Sequence, residues 1–172
     1  VMMAYRIPEE GSDDFYAIEL MSMVLSDGES SRLNKKCVEA SQSAMYVGSF
    51  PFPCEDPGLS FVFGIVNSEV NPDKLESEIN EEFERLQTDL ISEKEFAKVR
   101  NMLENNFLGN FNSMVGIAEN LANYEMYFGD ANLINTELDR YLNVTKEDIQ
   151  RVAKKYFKPS NRVVLYYLPK AG

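Results

Sequence analysis

Four short runs rich in β-forming residues are distributed along this chain in a way that limits its fold. VMMAYRI (1–7) and the run at 162–168 lie at opposite ends, whereas the runs at 43–51 and 58–66 are near neighbours in the middle. Only the middle pair is close enough for a direct hairpin; the outer two must be carried to a common sheet by the helical stretches between them. The order is strand, helices, two strands, several helices, strand. That order predicts an α+β two-layer sandwich with helices packed on one face of a mostly antiparallel or mixed sheet. A chain of 172 residues is expected to form a single domain over 1–172, because at this length about 70% of the unfolded surface can be buried.

Local signals place the elements. Pro8 and Gly11 close the first run, and Ser12 or Asp13 caps a helix over 13–26 whose buried stripe is Phe15, Ile18, Met21 and Leu25. After Gly28, Ser30 or Ser31 caps a second helix through RLNKKCVEA. GLSFVFGIV alternates, with Leu59, Phe61, Phe63 and Ile65 on one face and Ser60, Val62 and Gly64 on the other; hydrophobicity assigns Phe61 and Phe63 to the core. Asn71 and Pro72 open a helix with Leu75, Ile79, Phe83 and Leu86 inward. Ser92 and Glu95 form a capping box that starts a long helical pattern to about Phe128, either one helix or two with a bend, weakened at Gly109 and Gly116. Thr145 and Asp148 open the last helix, with Ile149, Val152, Ala153 and Tyr156 inward, and Pro159 stops it. In the final strand Val163, Leu165 and Tyr167 alternate with Val164, Tyr166 and Leu168, both faces partly covered. The expected core includes Phe61, Phe63, Leu75, Ile79, Phe83, Ile149, Val152 and Leu165.

Composition narrows the chemistry. A net charge of −11 supplies no basic stripe for a polyanion, so nucleic acid is not an expected partner. No apolar run reaches the roughly 20 residues that would span a bilayer, and no signal peptide is evident. The opening VMMAYRIPEE reads as the interior of a longer protein, and the compartment stays open between cytoplasm and periplasm. Cys37 and Cys54 are too few for a disulfide framework and are expected to be small buried residues. There is no histidine, hence no Ser-His-Asp triad and no His-x-x-Glu-His zinc pair. The acidic run ESEINEEFE falls opposite Leu75, Ile79 and Phe83 and is expected to be a solvated helix face. DGES (27–30) and GDAN (129–132) suit turns rather than calcium loops. Gly48 and Gly64 open no phosphate-binding helix. Tyr124, Tyr127, Phe128, Tyr166 and Tyr167 are expected to pack in the core.

DFYAIELMSMVLSDGESSRL, SEKEFAKVRNMLENNF, NLANYEMYFGDANLIN and YLNVTKEDIQRVAKKYFKPSNRVVLYYLP together resemble the non-catalytic C-terminal domain of the pitrilysin, insulinase and mitochondrial processing peptidase family, over Val1 to about Pro169. The resemblance implies a zinc peptidase built of two similar halves that close like a clamshell, with 1–172 an excised C-terminal half. Zinc is then expected on an N-terminal half of the same chain or on a homologous partner subunit, in a homo- or heterodimer, with a peptide as substrate. In many relatives an arginine near the end of the helix and a tyrosine in GLAY hold the substrate carbonyl. Matching QSAMYVGSF to that pattern puts Val38 at the arginine position and Met45 at the tyrosine position; a shift by one gives Glu39 and Tyr46. The clamping pair is absent in either register. Met45, Tyr46 and Ser49 are thus candidates for lining the substrate chamber, and no residue is expected to be catalytic or to bind metal. The alternative is a scaffold or partner subunit without zinc chemistry, and a free-standing peptide-binding module with an open sheet edge is a third reading.

Overall fold

A computed structural model describes residues 1–110 and 113–168 of the chain. Strands β1 (Met2–Arg6), β2 (Ala44–Phe52), β3 (Leu59–Val66) and β4 (Arg162–Leu165) form one sheet in the order β2-β3-β1-β4. Every pairing is antiparallel. The helices are α1 (Asp13–Ser26), α2 (Pro72–Thr88), α3 (Glu93–Asn110), α4 (Met114–Asn123), α5 (Leu133–Leu142) and α6 (Lys146–Tyr156). Two further stretches, Asn34–Ala40 and Tyr124–Phe128, are wound as π-helix. The expected α+β sandwich is thus present, with helices on one face of the sheet.

Helices α1, α2, α3, α4 and α6 start at side-chain caps, whereas the stretch Asn34–Ala40 has none, because the hydroxyl of Ser31, an expected cap, is buried without a partner among the described residues. Ser12 accepts from the Phe15 amide, Asn71 from Asp73, and Ser113 from Gly116. Reciprocal boxes join Ser92 to Glu95 and Thr145 to Asp148. Each gives otherwise orphaned first-turn amides a partner. The long pattern from Ser92 is occupied by α3 and α4; residues 111 and 112 lie outside the described residues. Helix α5 follows the GDAN turn without a local start signal, since Asn132 makes no side-chain cap hydrogen bond.

The inward face of the sheet carries Met3, Tyr5, Val47, Ser60 and Val62, all buried. This reverses the expectation for β3. Ser60, Val62 and Gly64 face the helices, while Phe61 and Phe63 are only half-buried on the open face. The cause is steric. A Cβ at Gly64 would sit 2.7 Å from Cδ2 of Leu75, so α2 approaches the sheet closely where β3 has no side chain. In β4 the same choice leaves Leu165 55% exposed, outside the core, with Val164 turned inward. Beyond β4, Tyr166 and Tyr167 are exposed, as is Tyr127, so these rings do not pack in the core; Tyr124 does.

Leu75, Ile79, Phe83, Ile149 and Val152 occupy the core as expected. Phe83 stacks on Phe157 with ring centroids 4.9 Å apart. Helix α1 is buried well beyond one stripe, with Tyr16, Ala17, Leu20 and Val24 joining the expected residues. It lies between β2 on one side and α3, α5 and α6 on others. The acidic face of α2 is not wholly solvated either. Glu82 is buried, held 3.0 Å from Arg85 and 3.3 Å from Lys36, and Glu76 pairs with Arg162 at 2.6 Å. Cys37 is buried and Cys54 half-buried.

Candidate functional site

Glu19, Ser22, Met23 and Ser26 recur at i, i+3, i+4 and i+7, so they share one stripe of α1. That stripe runs beside β2, an edge strand of the sheet. Between them lies a groove of about 490 Å³ lined by this stripe, Asp27 and the β2 residues Tyr46, Gly48, Ser49, Phe50 and Pro51, with Phe63 of β3.

The β2 side of the groove is fixed by hydroxyls. The Ser49 amide donates to Ser26 Oγ at 2.8 Å, Ser26 Oγ lies 3.1 Å from the Ser49 carbonyl it donates to, and Ser49 Oγ donates to Ser22 Oγ at 3.3 Å. Two residues on, Pro51 has no amide hydrogen to offer. An edge strand usually exposes a row of free amides; here one donor is occupied and the next is missing. The wall is therefore closed to strand addition across 49–51 and presents side chains instead.

Glu19 lies on the opposite wall. Tyr141 donates to its Oε2 at 2.7 Å, and Oε1 has no hydrogen-bond partner among the described residues. Burial raises its carboxyl above the ordinary range; the Tyr141 hydrogen bond pulls it partly back, and the charges of Glu137 and Glu10 push it further up. Behind it, Glu137 accepts from Tyr16 at 3.2 Å and from Tyr124, and Arg140 donates to the Tyr16 hydroxyl at 3.4 Å. Burial and Glu137 together lift the Tyr16 phenol to about 12.

Of the residues singled out by sequence, Tyr46 and Ser49 line this groove and Met45 lies beside it. The pairing of β2 with β3 shifts between Ala44 and Tyr46, so Met45 has no partner on β3. This bulge leaves Met45 65% and Tyr46 54% exposed in succession, where a regular strand would bury one of them. Val38 packs half-buried against the core, and Glu39 is exposed. The residues that sequence reading missed are Glu19, Ser22 and Ser26. Their signal was available: a polar stripe at helical spacing within an otherwise apolar helix.

Among the described residues no group of three or more acidic or cysteine side chains could hold a metal ion. With no histidine in the chain, the residues present do not fit a peptidase zinc. No described helix is long and apolar enough to cross a membrane.

The family model described as the peptidase M16 inactive domain matches residues 1–103. The zinc protease PqqE of Helicobacter pylori is 24% identical over 169 residues, which is 98% of this chain and 38% of that protein. The chain thus spans about two fifths of the length of that curated relative. A solved protein of Bordetella pertussis Tohama I, described as a zinc protease, superposes with a TM-score of 0.86 at 26% identity, covering 98% of this chain and 92% of that one. The peptidase M16 inactive domain from Pseudomonas fluorescens shares the fold at a TM-score of 0.80 and 17% identity, covering 94% of this chain and 38% of that one.

Proposed function

The chain belongs to the peptidase M16 inactive-domain family, and on that premise we propose that it is the non-catalytic half-domain of a zinc metallopeptidase, packing against a zinc-bearing half and lining the chamber that holds a peptide substrate. The observation that carries this reading is the match of almost the whole chain to only 38% of a zinc protease. On this reading residues 1–172 are one domain, the C-terminal half of a larger assembly. Zinc belongs to an N-terminal half of the same polypeptide or to a homologous subunit.

Two surfaces suit the role. The α1–β2 groove offers a shaped cavity, and the uncovered face of the sheet offers Tyr46, Phe50, Phe61 and Phe63, whose rings lie 5.5 to 6.1 Å from one another in successive pairs. Tyr46 and Met45 then contribute shape and apolar area rather than a transition-state hydrogen bond. The test uses the full-length assembly. Zinc should be retained and peptide hydrolysis lost when residues 1–172 are deleted, and adding the segment back should restore turnover. Unchanged hydrolysis without the segment would overturn the proposal.

The departure from the clamping pair at Val38 and Met45 favours a second reading, a scaffold or partner subunit in an assembly without zinc chemistry. Metal analysis of the full-length protein separates the two: about one zinc per catalytic half supports the peptidase, and none supports the scaffold.

A further inference from the structure

Resting on the reading of the α1–β2 groove as a substrate-facing wall, we propose that this groove takes the cationic side chain of a bound polypeptide, its guanidinium or ammonium meeting Glu19. The charged residues that line the groove are both acids, Glu19 and Asp27. Lys98 beside the groove donates its ammonium to the Asp27 carbonyl oxygen at 3.0 Å and hydrogen-bonds to neither carboxylate.

Both lining acids have acceptor capacity to spare, and Glu19 is the one anchored in the wall, by Tyr141. The hydroxyls of Ser22, Ser26 and Ser49 are engaged with one another and with the β2 main chain. Glu19 has one oxygen satisfied by Tyr141 and the other free. The second oxygen of Glu19 is open to a charge-assisted donor, which binds a carboxylate more strongly than a neutral donor does. Burial and the neighbouring charges of Glu137 and Glu10 act in the same direction, since each disfavours an unpaired anion here.

The walls suit the rest of such a side chain. Met23, Phe50 and the rings of Tyr46 and Phe63 line the same groove. A lysine or arginine stem is apolar along its length, and its head is attracted to aromatic faces, so stem and head find complementary surfaces in sequence. The volume of about 490 Å³ is ample for one long side chain.

The test measures binding of an acetylated, amidated pentapeptide with arginine at the centre of four alanines, against the same peptide with citrulline, which keeps the shape and removes the charge. The expected result is about tenfold tighter binding of the arginine peptide. In Glu19→Gln, which preserves the acceptor for Tyr141, the preference should fall below about twofold. Agmatine should compete for the arginine peptide but bind more weakly than it does, because it lacks main chain. Equal binding of the two peptides by the unaltered protein would refute the cationic preference while leaving the chamber-wall reading intact. A preference that persists in Glu19→Gln would refute the assignment to Glu19. Binding of neither peptide would also refute this inference, whereas the deletion and add-back assay on the full-length assembly judges the chamber reading by itself.

Discussion

At Gly64 one absent methyl group decides which side of β3 the helices cover. Leu75 is fully buried and a Cβ at Gly64 would meet its Cδ2 at 2.7 Å, so Gly64→Val should destabilise the fold by about 1–3 kcal/mol, read as a lowered urea midpoint. Phe83, buried and stacked on Phe157, tests the opposite case of lost volume. Phe83→Ala should cost about 3–5 kcal/mol, and a change below about 1 kcal/mol would place its ring outside the core. Tyr46 carries no predicted hydrogen-bonding duty. In the full-length enzyme Tyr46→Phe should lower kcat/KM less than about threefold, whereas loss of a transition-state donor would cost about 100-fold or more.

Between elements, the junction of α1 with α6 is electrostatic at its rim. Burial alone would raise the Asp14 carboxyl, but hydrogen bonds from Lys155, Tyr156 and Arg151 outweigh it and hold the group at about 2. Arg32, aided by Ser92 and opposed by burial, likewise holds Glu95 at about 2. Both values lie below those of the unfolded chain. Their contribution is therefore complete above about pH 4.5, and it is lost as pH falls toward 2, where the unfolded chain takes up protons first. Urea unfolding should show this loss between about pH 4.5 and 2, and Asp14→Asn should flatten part of the slope. The seam between α1 and β2 depends on Ser26. Ser26→Ala removes the acceptor for the Ser49 amide and should cost about 1 kcal/mol, with faster amide exchange at Ser49 as the local sign.

At the scale of the molecule, the open face of the sheet is the most conspicuous feature. Met2, Phe50, Phe52, Leu59, Ile65 and Leu165 are all exposed there, a larger apolar area than an ordinary solvent-facing surface leaves uncovered. Replacing Phe52 and Ile65 by Lys should raise the solubility of the chain while changing its unfolding free energy by no more than about 0.5 kcal/mol per site. A larger loss would mean that the face is part of the folded core after all.

The sequence alone determined the element order, most of the helix starts, the α+β class, the inward stripes of α2 and α6, and the resemblance that the family match later bore out. These are local properties: a cap needs only residues three apart, and a helical stripe is a period that the chain carries with it. The faces of β3 and β4 were decided only in three dimensions. Alternation says that two faces differ, and hydrophobicity pointed to Phe61 and Phe63, but the helices pack where β3 is smallest, at Gly64 beneath Leu75. The same holds for Glu19 and for the bulge at Met45. The first became part of a groove because α1 lies along an edge strand, and the second exposes neighbouring side chains because its partner strand is one residue shorter. Which surfaces a residue meets depends on contacts between segments far apart in the chain, and no local period encodes them.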